Sequence, residues 1–475
     1  MTRERNAWHL LALVGLLALV CPLAPAQTLR LPPHEKFVLK NGLTVLLMEK
    51  RGVPLIDIVA LVKTGAAADP PGEAGLASVT AALLRKGTKT RTAEQFAADF
   101  DFIGGSFDAD ASADFTNITA EFMTKDVDRG LELFSDALLR PTFPQDETAK
   151  TLAQSLDGVK AAKDEPRSVL SLYFDGYLYG TRPYGRPSEG DEVSLKRIQR
   201  DMIAKFYEAN YAPGNTILGV AGEFNAAEMR KIIEETLGAW AARAVPSVSI
   251  PAAPPEKGKR LLLIDKPDAT QTYFAIGNIG TAANDPDRFA IRVVNAIFGG
   301  RFTSELNEAL RVESGYTYGA GSYFDSHRSP GPFEILSFTK NDTTIPAIDL
   351  ALQVLEKLHK NGVSEEQLAS VKSYIKGQYP PSIETSRQLA RRIVLDEFYG
   401  LGDDEVNQLE ARVDAVTPAI ATQIIERHFP LDNLVFVLIG KASVIGPAVK
   451  KYADKMDQRS IGDPGFWPPP AEAQQ

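Results

Sequence analysis

The sequence predicts an α+β fold of two homologous domains in tandem, each a mainly antiparallel sheet covered by helices. Three observations lead to this prediction. Runs rich in β-forming residues alternate irregularly with amphipathic stretches, which favours separate sheet and helix layers over a doubly wound sheet. A sequence pattern recurs after about 215 residues, which indicates a duplicated unit. A Pro-rich stretch, residues 244–259, lies between the two copies.

The duplication is visible in two separate pairs of segments. Asn215 and Asn433 each precede a β-rich run that ends in glycine, and they are 218 residues apart. The Leu-Met-Glu-Lys of 47–50 matches the Leu-Ile-Asp-Lys of 263–266 at an offset of 216. Strand-turn patterns are common enough to coincide by chance, but two nearly equal offsets favour a repeat.

We therefore divide the chain into five parts. Residues 244–259 form the linker, because proline withholds backbone donors and stiffens the chain. The parts are a signal peptide (1–26), an N-terminal domain (27–243), the linker (244–259), a C-terminal domain (260–456) and a tail (457–475).

Local patterns predict the elements of the first domain in order. Val38 to Met48 reads as a hairpin that turns at Asn41-Gly42, the strongest short hairpin signal. Leu55 to Val62 reads as a strand. Apolar residues at helical spacing predict helices over Glu94–Ile103, Val127–Leu139, Met202–Tyr207 and Ala227–Trp240.

The charge balance excludes one class of partner. The 475 residues carry 52 Lys and Arg against 61 Asp and Glu, a net charge of −9 without a basic cluster. Binding to nucleic acid requires lysine and arginine to neutralise phosphates, so we exclude nucleic-acid partners.

The N-terminus has the pattern of a secretory signal. Arg3 and Arg5 precede an apolar run at 10–20, which is shorter than the roughly 20 residues of a membrane span. Small residues at 24 and 26 predict cleavage after Ala26 and a periplasmic protein. A lipoprotein anchored through Cys21 is the alternative, disfavoured because Val20 precedes that cysteine. Cys21 is the only cysteine, so the exported chain has no disulfide and no thiol ligand.

Segment 75–88, Gly-Leu-Ala-Ser-Val-Thr-Ala-Ala-Leu-Leu-Arg-Lys-Gly-Thr, carries the strongest motif. It resembles the signature of the pitrilysin/insulinase family of inverted zinc peptidases, whose active members read roughly G-[LV]-A-H-F-L-E-H-M-L-F-K-G-T. The resemblance extends from about Phe37 to about Tyr452 and implies the same two-domain layout. The matching flanks are Gly75, Leu76, Ala77, Leu84, Lys86, Gly87 and Thr88.

The zinc-binding residues of that signature are missing. In an H-x-x-E-H helix two histidines bind zinc, and the glutamate takes a proton from the bound water. Ser78, Ala81 and Ala82 occupy these three positions, and Gly158 falls at the family's third ligand, a glutamate. We expect no metal in this chain and no catalytic residue. A serine nucleophile at Ser78 lacks the G-x-S-x-G pattern, so packing is the preferred interpretation there.

The second half resembles the family's other signature, a Gly-Gly turn, a helix that ends in Arg, and a tyrosine on a following strand. Arg311 and Tyr318 fall on that Arg and Tyr. In active relatives this pair reaches the zinc site of the opposing half, so the resemblance implies substrate binding by these two residues. The alternative is structural, because an arginine complements a helix C-terminus and Tyr316 and Tyr318 would pack on one strand face.

These observations predict a non-catalytic subunit of a heterodimeric periplasmic zinc peptidase. The expected partners are a zinc-containing subunit of the same family and a peptide substrate, with zinc only in the partner and no membrane span. A peptide-binding or structural envelope protein without proteolytic role is the second hypothesis. A self-sufficient hydrolase of another chemistry is the third, and no Ser/His/Asp or paired-carboxylate spacing supports it.

Overall fold

The computed structural model describes residues 29–251, 253 and 257–468. The predicted signal peptide lies outside the described residues. In the first half the chain forms one sheet and its covering helices. The strands are β1 (Glu35–Val38), β2 (Thr44–Glu49), β3 (Leu55–Val62), β4 (Ser106–Ala111), β5 (Thr116–Met123) and β6 (Thr216–Gly222). The helices are α1 (Leu76–Leu83), α2 (Ala93–Phe102), α3 (Val127–Leu139), α4 (Gln145–Asp164), α5 (Pro166–Tyr179), α6 (Arg200–Asn210) and α7 (Ala226–Leu237).

The second half has a similar order of elements, except that one edge strand comes at its end. Its strands are β7 (Arg260–Asp265), β8 (Gln271–Ile279), β9 (Ala320–Phe324), β10 (Pro332–Lys340), β11 (Val435–Gly440) and β12 (Lys455–Ser460). Its α-helices are α8 (Arg288–Phe298), α9 (Glu305–Asn307), α10 (Thr344–Asn361), α11 (Glu365–Gln378), α12 (Ser386–Tyr399), α13 (Asp404–Asn407), α14 (Leu409–Asp414), α15 (Pro418–His428) and α16 (Ala442–Val449). Within the part of the chain described, no helix is both long enough and apolar enough to span a membrane.

The two sheets have matching strand orders. The first sheet runs β1-β2-β6-β3-β5-β4 and the second runs β12-β7-β11-β8-β10-β9. β2 is parallel to β6, and β7 is parallel to β11 and β12, whereas the other neighbours are antiparallel. The α+β class and the tandem arrangement are thus confirmed. The sheets differ at one edge, where β1 comes from the start of its half and β12 from the end.

Each sheet is covered on one face by a helix of the other half. In the first sheet Val45 and Leu47 belong to one core, while Leu46 and Met48 belong to the other, as the alternation along a strand requires. α12 of the second half packs on β3 and β6 of the first sheet. In return, α5 of the first half packs on β8 and β11 of the second sheet. The halves therefore share two continuous hydrophobic cores.

Gly219 in the middle of β6 shows how closely α12 approaches. A Cβ atom placed there would lie 2.4 Å from Val394 Cγ2 and 3.0 Å from the Ala390 carbonyl oxygen. Both neighbours belong to α12. β6 is buried along its whole length because helices cover both faces of the sheet, which explains its continuous run of small and apolar residues.

The C-terminal boundary predicted at residue 456 falls inside β12, which continues to Ser460. Phe466 is 3% exposed, and its ring lies 5.1 Å from that of Tyr173 on α5. The ordered chain thus continues past 456, because these aromatic residues pack against the helix that crosses over from the first half.

Candidate functional site

The N-terminus of α1, the helix with the degenerate zinc motif, is held by a buried carboxylate. Asp69 accepts hydrogen bonds from the backbone N–H groups of Gly75 and Ala77, both at 2.9 Å. Burial raises the pKa of Asp69 to about 7, although these two hydrogen bonds oppose that rise. The guanidinium of Arg186 donates to the backbone carbonyls of Asp69 and Ala67. Asp69 was not among the site residues predicted from the sequence; the signal for it is an Asp six residues before the glycine that starts a helix.

The residues at the positions of the lost zinc site are hydrogen-bonded elsewhere or lack a side chain that could bind zinc. The Ser78 hydroxyl donates to the carbonyl oxygen of Ser188 at 2.8 Å. Ala81 is fully buried and Ala82 is half-buried. Gly158 lies exposed on α4, where an added Cβ would meet nothing within 4 Å. None of these side chains can bind zinc or accept a proton from a water, and the Ser78 hydroxyl is already engaged.

A possible metal-binding group in the described residues lies in the second half, away from α1. It consists of Asp285, Asp287 and His428. Asp287 already pairs with Arg427 at 2.6 Å and with His428 at 3.0 Å. A cation would have to compete with this arginine, so we assign no metal to the group.

The part of the signature that this chain keeps has a structural role. Thr88 lies in its Lys-Gly-Thr end, and its hydroxyl donates to the buried carboxylate of Asp136 on α3. Thr90, Arg91 and Arg140 donate to the same carboxylate. Burial alone would raise the pKa of Asp136, but these hydrogen bonds outweigh it and lower the pKa to about 2.

Arg311 lies on the surface of the second half. α9 continues into a π-helical segment, Glu308–Glu313, that carries Arg311. The guanidinium carbon lies 4.4 Å from the ring centroid of Phe302, a phenylalanine that is 69% exposed. A cation–π contact of this kind orients the arginine without removing it from solvent. Phe302 was not among the site residues predicted from the sequence, although it directly follows the Gly-Gly-Arg turn.

Tyr318 projects from a loop, not from a strand. The prediction that Tyr316 and Tyr318 share one strand face is wrong, because β9 begins only at Ala320. The N–H groups of Tyr316 and Thr317 both donate to the Leu310 carbonyl, which ties the loop to the end of the preceding helix. Tyr316 packs against the second core, whereas Tyr318 is 82% exposed.

We call Phe302, Arg311, Val312 and Tyr318 the arginine–aromatic surface; Phe302, Val312 and Tyr318 are exposed, and Arg311 is half-buried. Hydrogen bonds within 310–319 fix the loop that carries Tyr318. Such a surface offers a charge-assisted donor, a phenol and apolar area together, which suits a peptide chain.

Comparison with known protein families assigns both halves. Residues 45–192 match the family model described as insulinase (peptidase family M16). Residues 197–375 match the model described as the peptidase M16 inactive domain. The chain belongs to peptidase family M16, the pitrilysin/insulinase family.

Relatives and solved structures agree with this assignment. An uncharacterized zinc protease of Rickettsia bellii is 29% identical over 305 residues, which is 64% of this chain and 73% of the relative. The uncharacterized zinc protease YmxG of Bacillus subtilis is 24% identical over 79% of this chain and 92% of the relative. A peptidase M16 inactive domain from Pseudomonas fluorescens superposes with a TM-score of 0.81 at 25% identity, over 86% of this chain and 98% of that one. A protease from Helicobacter pylori has the same fold, with a TM-score of 0.79 at 20% identity over 86% and 100% of the two chains.

Proposed function

We propose that this protein is the non-catalytic subunit of a heterodimeric zinc peptidase. In this proposal a family member with an intact H-x-x-E-H helix supplies zinc, and this chain supplies Arg311 and Tyr318. One observation carries the proposal. The same chain has Ser78, Ala81 and Ala82 at the two histidine positions and the glutamate position of the H-x-x-E-H motif on α1, and it keeps an arginine–aromatic surface with exposed Phe302 and Tyr318 beside half-buried Arg311.

Arg311 and Tyr318 have complementary chemistry for a peptide substrate. A guanidinium holds a carbonyl or carboxylate oxygen by directed, charge-assisted hydrogen bonds. A phenol can donate to the oxygen that becomes negative as the peptide carbon turns tetrahedral. Because Arg311 already rests on Phe302, little side-chain freedom is lost when it meets a substrate.

We further propose that the protein acts in the periplasm. The support is the n-region with Arg3 and Arg5, the apolar run and the Ala24-Pro25-Ala26 segment. The exported chain would contain no cysteine, so the shared cores between the two halves hold the fold without disulfides.

A second function deserves testing, because exposed Phe302 and Tyr318 would also suit peptide capture without cleavage. In that case the protein would be a peptide-binding or structural envelope protein. It would bind peptides through the same surface but would not raise the activity of any zinc peptidase.

Reconstitution separates the two functions. The protein is purified alone and together with a zinc-containing relative from the same genome, and bound zinc and cleavage of a quenched fluorescent peptide are measured. We expect the lone chain to be zinc-free and inert, and the mixture to cleave faster than the relative alone. Stoichiometric zinc and cleavage with the lone chain would contradict the proposal. A mixture that gains no activity would favour the binding function.

Within the active pair, Arg311→Ala should lower kcat/KM about 10- to 150-fold. The range corresponds to the loss of one charge-assisted hydrogen bond of roughly 1.5–3 kcal/mol. Folding should be nearly unaffected, since an exposed cation–π contact contributes about 0.5–1 kcal/mol. Arg412→Ala, at an exposed position of the same half, is the matched control. Equal activity of the Arg311 and Arg412 variants would remove Arg311 from substrate binding.

A further inference from the structure

A cavity of about 310 Å³ lies between the two halves of the chain. Segment 184–188 and α5 line it from the first half, and Asp325, His327 and Pro332 line it from the second half. At about 30 Å³ per water molecule the space corresponds to roughly ten waters, enough for a small organic ligand.

One end of this cavity gathers carboxyl groups that have no lysine or arginine partner among the described residues. Asp175 on α5 lines the cavity, and its Oδ1 atom is buried without a hydrogen-bond partner among the described residues. Glu334 on β10 lies nearby, buried, and its Oε2 accepts a hydrogen bond from the Ser171 hydroxyl at 3.1 Å. Burial and the neighbouring Glu334 and Asp325 carboxyls raise the pKa of Asp175 well above its ordinary value. Burial likewise raises the pKa of Glu334 to about 7.

The donors around this end are already engaged. The Tyr179 hydroxyl donates to the Pro330 carbonyl at 3.0 Å, and the Tyr184 hydroxyl donates to Asp114 at 2.8 Å. His327 Nε2 lies 3.6 Å from Asp325 Oδ2, at the mouth of the cavity. In the described part of the chain, neither Asp175 nor Glu334 forms an ion pair with lysine or arginine. Burial without a cation favours the protonated form of such a carboxyl group, and a bound cation would stabilise its ionised form.

A second unpartnered group lines the same cavity. Arg186 donates through its two terminal nitrogens to the Ala67 and Asp69 carbonyls, but its buried Nε has no acceptor among the described residues. The cavity thus presents an acceptor without a donor and a donor without an acceptor. Leu172, Ala113 and Pro187 supply apolar walls between them.

We propose that this cavity binds a small molecule with a protonated α-amino group beside a carbonyl or carboxylate, its ammonium held by Asp175 and its oxygen facing Arg186. Free amino acids and the amino ends of short peptides share this chemistry. The site is separate from the arginine–aromatic surface and needs no partner subunit.

Isothermal titration of the purified protein tests the proposal with four probes. L-Alanine and L-alanyl-L-alanine carry both groups and distinguish a free amino acid from a peptide. N-acetyl-L-alanine lacks the ammonium, and ethylamine lacks the oxygen. We expect alanine, its dipeptide, or both to bind, N-acetylalanine not to bind, and ethylamine to bind at least tenfold more weakly.

Asp175→Asn keeps the shape of the side chain and removes its charge, and it should weaken binding at least tenfold. Asp157→Asn, on the exposed face of α4, is the control and should leave binding unchanged. In the wild-type protein affinity should also rise with pH and fall on acidification, because the pKa of Asp175 is raised by burial and only its ionised form holds an ammonium. The absence of binding by both alanine probes at millimolar concentration would overturn the proposal. So would an affinity that neither Asp175→Asn nor acidification changes. Ethylamine binding as tightly as alanine would refute the role of Arg186.

Discussion

Gly219→Ala tests whether the crossing of α12 onto the first sheet limits the packing of the fold. The new Cβ would lie 2.4 Å from Val394 Cγ2 and 3.0 Å from the Ala390 carbonyl oxygen, so α12 or its side chains must move. Overpacking of a dense core costs about 1–3 kcal/mol. Alanine also lowers the conformational entropy of the unfolded chain, which stabilises the folded protein by about 0.4–1 kcal/mol. We expect a net destabilisation of about 1–2 kcal/mol.

A double-mutant cycle with Val394→Ala isolates the contact. Val394→Ala alone removes two methyl groups from a fully buried site, which costs about 1.6 kcal/mol from transfer and more from the cavity left behind. The double variant should be more stable than the sum of the two single effects by about 1–2 kcal/mol. Val394→Ala will relieve the overpacking at position 219 only in part, because the Ala390 carbonyl oxygen belongs to the backbone and remains close to the new Cβ.

Urea denaturation followed by circular dichroism gives the free energies of unfolding. Gly158→Ala is the matched control, since its Cβ would meet nothing within 4 Å on exposed α4. It should stabilise the protein by about 0.5–1 kcal/mol through helix propensity. Strict additivity of Gly219→Ala and Val394→Ala, or a Gly219→Ala variant as stable as the wild type, would refute the packing argument.

Two further predictions concern the degenerate motif and its retained end. Ala81→Glu should destabilise the protein by at least about 3 kcal/mol, because it buries a carboxylate without a partner. Gly158→Glu on the surface should stabilise the protein slightly, because glutamate has a higher helix propensity than glycine. Equal denaturation midpoints for both variants would show that the α1 face is open. The folded-state pKa of Asp136 is about 2, below its unfolded value of about 3.9. Ionised Asp136 therefore contributes about 2 kcal/mol to the free energy of unfolding above about pH 4. This contribution is lost as the pH falls toward 2. Asp136→Asn should lower stability at neutral pH and flatten its decline between about pH 4 and pH 2. An unchanged acid profile in that variant would assign the acid sensitivity to other groups.

The sequence determined the duplication, the α+β class and the family. Two offsets of 218 and 216 residues correspond to the matching strand orders of the two sheets. Helix periodicity placed α3 over Val127–Leu139 and the strand pattern placed β3 over Leu55–Val62, with the bounds that the structure has. These features were predictable because periodicity and turn chemistry act over a few residues. The loss of the zinc ligands was readable for a similar reason, since a ligand is defined by its side-chain type and alanine has none.

Tertiary structure alone decided how the halves are joined and which motif residues reach solvent. Nothing in the local pattern of α5 or α12 indicates that each covers the sheet of the other half. Tyr316 and Tyr318 have the same residue type and similar neighbours, yet Tyr316 packs half-buried against the second core while Tyr318 is exposed on the same loop. The approach of Asp175 to Glu334 joins residues that are far apart in the sequence. These relations depend on the packing of distant segments, because burial and charge proximity are set by the complete fold and not by neighbours along the chain.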